Sequence, residues 1–354
     1  NFTAVASGYV SNSTVINLTA TNSTTITLSI ATNETPIVSV TSPSNNSYLS
    51  VTGVSIVGTA FDPNGASVKI NDTGFGTNVG TYESWNFTNA SLGEGRYSVI
   101  ITANDTFNAS NSTGIVFTVD RTVPASIAFN TPTLGNVTYS NKSYYEVNVT
   151  FTETNPDSCL LEVNAVNITM TRSGSTCFVN RSSQSDGNYS YKVWVNDSAG
   201  NKASSEGRIV VLDTTNPTVV INGPANASHK PTSVVFNVTV TDVNVGNVTF
   251  YLNNSLNETN TSRYNGTYLF SRTVLDGNHT WYMLVYDRAN NSNQTLVYNV
   301  STETDVTVPG VTIRSPSAGI KTSDFLINVT ATDSFTVESV QYRYENATFN
   351  SSWI

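Results

Sequence analysis

The chain has 354 residues, 25 acidic against 16 basic, and a formal charge of −9. Charged residues are only 12% of it, about half the usual share, while 45 Asn and 96 Ser plus Thr supply roughly 40%. Scattered basic residues on an acidic chain exclude nucleic-acid binding. No apolar run approaches the about 18 residues of a membrane-spanning helix, and the regularly placed Tyr, Phe, Val and Ile argue against disorder.

Residues 1–34 carry no basic-plus-apolar leader, so Asn1 reads as a mature or cut end. Alternation predicts strands over 14–20 and 24–30, the closing part of a different preceding domain.

From Pro36 onward the chain repeats. Pro36, Pro124, Pro217 and Pro309 are 88, 93 and 92 residues apart. Each opens a β-branched run closed by a second proline: PIVSVTSP, PASIAFNTP, PTVVINGP and PGVTIRSP. A late strand precedes each new start, as YSVIITAND (97–105), YSYKVWVND (189–197) and HTWYMLVYD (279–287). The linkers VDRTVP, VLDTTNP and TETDVTVP follow. A copied unit of about 90 residues is long enough for its own core. The predicted domains are therefore 1–34, 35–122, 123–215, 216–307 and 308–354, the last being the first half of a further unit.

Within the units the period is two. FNVTV (236–240), YEVNVTF (145–151), INVTA (327–331) and GNVTFYL (246–252) put apolar residues on one face and polar ones on the other. Asn64-Gly65, Asp186-Gly187 and Asp276-Gly277 mark turns that separate the runs. The fold class expected is all-β: tandem immunoglobulin-like or fibronectin-like sandwiches in an extended rod. Trp194, Trp281 and Tyr97 lie on the late strand, where they are expected to pack the core, with a sugar-binding aromatic platform as the alternative.

The order P-x-β-x-P, V-x-V-x-T-D, Y-x-V-x-V-x-D-x-x-G-N, V-D-x-T-x-P resembles the tandem immunoglobulin-like domains of bacterial and archaeal surface proteins. YSYKVWVNDSAGN at 189–201 is its fullest copy. Asn108 in the first unit and Asn290-Asn291 in the third replace the Gly-Asn. Residues 1–34, with ASGYVSNSTVINLTA, resemble the end of a small prealbumin-like domain. The resemblance implies an archaeal envelope protein that builds an S-layer, sheath or extracellular filament by self-association.

Asn-x-Ser/Thr triplets number 33, where shuffling this composition gives roughly 12. The excess points to N-glycosylation and export to the cell surface. The candidate acceptors begin with Asn1, Asn12, Asn17, Asn22 and Asn33. The first unit adds Asn45, Asn71, Asn86, Asn89, Asn104, Asn108 and Asn111. The second adds Asn136, Asn141, Asn148, Asn167, Asn180, Asn188 and Asn196. The third adds Asn226, Asn237, Asn247, Asn253, Asn257, Asn260, Asn265, Asn278, Asn290, Asn293 and Asn299. Asn328, Asn346 and Asn350 complete the set. On a strand, Asn and the hydroxyl residue share one face and the middle residue takes the other. That middle residue is often apolar, as at Leu18, Phe87, Val137, Val149, Ile168, Val238, Val248, Val300 and Val329.

Cys159 and Cys177, an even pair in an exported chain, are expected to form a disulfide. His229 and His279 sit in no metal or catalytic motif, and no nucleophile elbow or phosphate loop occurs, so no catalytic residue is assigned. Asp recurs after each late strand (Asp105, Asp197, Asp287) and in each linker (Asp120, Asp213, Asp305), with Asp62, Asp242 and Asp333 at a further repeated place. These junctions are candidate calcium sites. The alternative is that the acids only close Asx-type turns. The function expected is structural. An adhesin stalk with its tip outside this chain, or accessory domains of an exported enzyme, are the alternatives. Membrane attachment would come only through an anchor outside the chain.

Overall fold

A computed structural model describes residues 2–4, 12–14, 33–318, 325–335, 337 and 339–342. Most of the strand expected at 14–20, and all of that at 24–30, lie outside these residues. The described chain is all-β, and among the described residues no helix is long and apolar enough to cross a membrane. It divides into two compact units.

The first unit holds residues 1–133, 147–179 and 191–207. It begins with a short antiparallel pair, β1 (Phe2–Ala4) and β2 (Asn12–Thr14). A sandwich follows, made of β3 (Ile37–Ser42), β4 (Ser47–Leu49), β5 (Val54–Phe61), β6 (Ala66–Ile70), β7 (Trp85–Asn89), β8 (Gly95–Asp105) and β9 (Ser110–Val119). One sheet runs β3-β5-β7 and the other β4-β9-β8-β6. The first strand of the sandwich is thus split: β3 pairs antiparallel with β5, while β4 crosses to the other sheet and pairs parallel with β9. That division is an immunoglobulin-type arrangement. Strict alternation drives it, because β5 buries Val54, Ile56, Gly58 and Ala60 and leaves Ser55 and Thr59 exposed and Val57 half-buried. Gly58 is required there. A Cβ would lie 2.2 Å from the Trp85 ring and 2.0 Å from the Ser39 carbonyl oxygen. Trp85, Phe75 and Phe117 are the largest buried side chains of this core.

The strands from 125 to 212 repeat the order and are shared between the units. They are β10 (Ala125–Phe129), β11 (Thr138–Ser140), β12 (Tyr145–Thr152), β13 (Pro156–Val163), β14 (Val166–Thr169), β15 (Thr171–Ser173), β16 (Thr176–Arg181), β17 (Gly187–Asp197), β18 (Lys202–Ser204) and β19 (Arg208–Leu212). In the first unit β13 lies between β14 and β17, aligning Leu160 with both Thr169 and Trp194. Cys159 and Cys177 are fully buried there and joined as a disulfide, with Cα atoms 6.3 Å apart.

The second unit holds residues 134–146, 180–190 and 208–354. Its sandwich is formed by β20 (Thr218–Gly223), β21 (Ser228–Pro231), β22 (Ser233–Thr241), β23 (Val245–Leu252), β24 (Ser255–Asn260), β25 (Gly266–Thr273), β26 (Gly277–Asp287), β27 (Ser292–Gln294) and β28 (Tyr298–Glu303). The sheets run β20-β22-β25 and β21-β28-β26-β23-β24, with β27 beside β26. Phe236 packs against Phe250 and Trp281, at centroid distances of 4.5 and 5.2 Å. A last hairpin joins β29 (Gly310–Ser315) to β30 (Asn328–Thr332).

The proline pairs have a structural meaning. The second member (Pro43, Pro132, Pro224, Pro316) follows a cis peptide bond. In the three repeats described past that point, the chain there leaves one sheet for the other. Two or four residues on, Asn45, Asn136 and Asn226 each accept a main-chain N–H with Oδ1, from Val116, Ile209 and Asn299 at 2.8–2.9 Å. The next residue is left-handed in each case: Asn46 at φ 61°, Val137 at 57° and Ala227 at 57°. The parallel pairings Ser47↔Phe117, Thr138↔Val210 and Ser228↔Val300 then begin.

The late strand carries a second repeated device. Tyr97 donates its hydroxyl to the carbonyl of Gly93 at 2.9 Å, and Tyr189 to that of Ser185 at 2.8 Å. His279 replaces tyrosine in the third copy, and its Nε2 lies 2.8 Å from the Leu275 carbonyl. That carbonyl requires Nε2 to carry the proton, so Nδ1 accepts from the Asn253 amide at 3.0 Å. Trp281 is fully buried and Tyr97 is packed half-buried on the core. Trp194 departs from the expectation. It falls on the outer parity of β17, between buried Val193 and Val195, and stays half-buried.

Candidate metal centres

Each late strand ends in a buried aspartate that closes its own loop. Asp105 Oδ1 accepts N–H groups of Phe107 and Ala109 at 2.8 Å. Asp197 and Asp287 hold Asn201 and Asn291 the same way, through both the main-chain N–H and the side-chain amide. The residue at the third place after the aspartate is left-handed: Asn108 at φ 66°, Gly200 at 89° and Asn290 at 73°. This explains why Asn or Gly stands there.

The linker aspartates meet these loops one repeat further on. Carboxylate oxygens of Asp120, Glu153 and Asp197 lie within 4.8 Å of one another in the first unit. Those of Asp213, Asp242 and Asp287 do so in the second. The two networks match bond for bond. The Asp120 carboxylate takes the Asn155 amide at 2.7 Å and its carbonyl takes the Asn201 amide at 2.9 Å. Asp213 takes the amides of Asn244 and Asn291 in the same roles, both at 2.7 Å. Glu153 and Asp242 each accept the N–H of the asparagine two residues on. Gly246 lets the backbone of β23 pass close to the second cluster, since a Cβ there would lie 2.5 Å from the Asp287 carbonyl oxygen.

Burial raises the pKa of Asp242. The Asn244 N–H opposes this, and the like charges of Asp213 and Asp287 add to it. Two charges 4 Å apart repel by about 4 kcal/mol at an effective dielectric near 20. A cation among the three carboxylates would relieve that repulsion. Glu153 Oε2 is buried without a hydrogen-bond partner, beside two further carboxylates. The carboxylates are hard oxygen donors of the kind calcium takes, and the asparagine amides around them donate N–H groups to the same acids. The residues fit such an ion.

Of the nine aspartates singled out in the sequence, five enter the two clusters. Asp105 is buried with Oδ2 unpartnered, as is that of Asp62, and belongs to no such triad among the described residues. Asp305 is exposed and binds Thr307, whose hydroxyl reaches Asp333 at 3.5 Å. Glu153 was missed because it is a glutamate where the other copies carry aspartate. The signal for it was its place, acid-x-Asn after a strand, shared with Asp62-Pro63-Asn64 and Asp242-Val243-Asn244.

The sequon asparagines described, Asn33 to Asn328, are all exposed or half-buried. Their middle residues Phe87, Val149, Val238, Val248 and Val300 are buried. Ile168 and Val329 are half-buried. Val137 is 52% exposed, because its left-handed conformation takes it out of strand alternation. Asn1, Asn17, Asn22, Asn346 and Asn350 lie outside the described residues, and Leu18 with them.

No family model and no curated protein matches the chain. Solved structures do. The I67–I69 fragment of titin is 10% identical with a TM-score of 0.45, covering 76% of this chain and 98% of that one. The fibronectin(III)-like modules of Clostridium thermocellum CbhA are 15% identical at TM-score 0.32, covering 51% and 94%. A tetra-tandem repeat in the extending region of a large adhesion protein is 18% identical at TM-score 0.31, covering 87% and 93%. Likeness at this level assigns no activity. The immunoglobulin-like assignment stands on the strand pairings.

Proposed function

We propose that this is a structural, heavily N-glycosylated extracellular protein that self-associates into a cell-surface layer, sheath or filament. The observation that carries the reading is the coupling of sequon to strand face. Asn299 is exposed and Asn86, Asn237 and Asn247 are half-buried, while the residue after each is buried. A tripeptide used in this way anchors the core and presents an acceptor amide to solvent. With so few charges, glycans would supply the solvating layer and shield sheet edges from wrong pairing. No reaction is part of this reading.

Calcium belongs to the same proposal, held by Asp120, Glu153 and Asp197 and by Asp213, Asp242 and Asp287. A bound ion would neutralise each triad and fix the linker to the loop that closes the late strand.

Intact mass of the protein from its native source, before and after deglycosylation, tests the glycan reading. A large fall in mass on deglycosylation is expected, and an unchanged mass ends the reading. Imaging of native cell surfaces tests assembly: a regular array or tube is expected, and isolated fibres would instead favour a stalk.

A further inference from the structure

Trp194 is the half-exposed tryptophan of the described chain, since Trp85 and Trp281 are fully buried. It stands on the outer face of β17, opposite Leu160 on β13. Its indole N–H donates to Glu162 at 2.7 Å. The Lys192 ammonium sits 4.8 Å from its ring centroid and 3.3 Å from the same carboxylate. These contacts fix the ring at the surface. Beside it lies a hollow of about 250 Å³, lined by Leu160, Glu162, Asn167, Trp194, Asn196 and Lys202. That is below the about 300–1,000 Å³ of drug-sized ligand sites and suits one small ring.

Two of the six lining residues are sequon asparagines. Asn196 shares the outer face of β17 with Trp194, two residues and about 6.6 Å along the strand. Its amide donates to the Ser158 hydroxyl at 3.3 Å. A primary amide has two hydrogens, so this contact leaves one position for a glycosidic bond.

We propose that Trp194 is an aromatic platform for the first sugar of an N-linked glycan on Asn196, the sugar filling the hollow bounded by Leu160, Glu162 and Lys202. The apolar C–H face of a pyranose lies against the indole, and its hydroxyls meet the charged rim of Glu162 and Lys202. This rests on the reading of the sequons as glycan acceptors.

The test uses the full chain expressed in its native host. Glycopeptide mass spectrometry reads occupancy at Asn196, and acrylamide quenching of tryptophan fluorescence reads the exposure of Trp194. Two variants remove the glycan: Asn196→Gln removes the acceptor, and Ser198→Ala destroys the sequon while keeping Asn196 and its bond to Ser158. Both are expected to raise the quenching constant of the Trp194 component, by about twofold for an uncovered ring face. That component is defined by subtracting Trp194→Phe. Asn167→Gln is expected to change nothing. Glycans at other sequons with a bare Asn196, or an occupied Asn196 with quenching unchanged in Ser198→Ala, overturns the platform alone. A chain bare at every sequon overturns the glycan reading and the platform together.

Discussion

The side-chain amide of Asn291 donates to the main-chain carbonyl of Asp213, 78 residues earlier, at 2.7 Å. Asn201 does the same to Asp120, across 81 residues, at 2.9 Å. One asparagine thus binds both the aspartate of its own loop and the linker that precedes its repeat. Replacing Asn291 with Ala is expected to leave the Asp213 carbonyl and the Asp287 carboxylate short of a donor, at a cost of about 1–3 kcal/mol. The loss should be local. Limited proteolysis should cut faster between Asp213 and Pro217 in the variant, while the Asp120–Pro124 linker keeps its native rate. Equal acceleration at both linkers would show that the clamp is not local.

The raised pKa of Asp242 fixes the sign of a pH effect. A group whose folded pKa lies above its unfolded value contributes stability that is full below the unfolded pKa and is lost as pH rises through the folded one. Without divalent ions, thermal stability of the sandwich at 218–303 should therefore fall as pH climbs past the ordinary aspartate range. Calcium should reverse the trend, since it binds the ionised triad. Asp242→Asn should flatten the pH dependence, raise the ion-free Tm and abolish the calcium gain. A calorimetric titration of the chelator-treated protein with no heat removes the calcium proposal.

Much of this was legible in the sequence, and the reasons are specific. Alternation reports burial directly, so β22 and β23 fell where FNVTV and GNVTFYL placed them. The repeat gave the late-strand and linker aspartates. It did not show that Asp120 meets Asp197 and not Asp105, because that pairing joins residues 77 positions apart across a turn of unknown geometry. Trp194 was misplaced because an aromatic on a repeated strand suggests core, while parity puts it on the opposite face from Val193 and Val195. Val137 lay in a sequon that alternation assigns to a strand, but a left-handed residue precedes the pairing there. The role of Asn45, Asn136 and Asn226 as acceptors for main-chain N–H groups was hidden by the sequon itself, which accounts for the asparagine without any structural need.

The disulfide closes a loop of 18 residues between β13 and β16. In the chain-entropy model such a loop contributes about 3 kcal/mol, acting on the unfolded chain. Cys159→Ser with Cys177→Ser should lower the denaturant midpoint of the sandwich that carries it, with the two buried hydroxyls adding to the loss. Cys159→Ala with Cys177→Val separates the two effects, because it keeps the site apolar. Unfolding followed by Trp194 fluorescence should register both variants, and an unchanged midpoint in the Ala/Val pair would show that the crosslink carries no stability.

Tyr189 supplies the last prediction. Its hydroxyl bonds the Ser185 carbonyl, and its ring packs 5.4 Å from that of Tyr145. Tyr189→Phe keeps the ring and removes one hydrogen bond, so about 0.5–1.5 kcal/mol is expected. Tyr97→Phe should cost a similar amount, since its ring keeps its stack on Phe117 at 5.4 Å. His279→Phe should cost more than either. It removes two contacts, the Nε2–H bond to Leu275 and the acceptor for Asn253, whose carbonyl oxygen also receives the Thr280 N–H. Urea melts of the three single variants in one background rank them. A His279→Phe loss no larger than that of Tyr189→Phe would show that the histidine, although it stands where the other copies carry tyrosine, adds no more than one hydrogen bond.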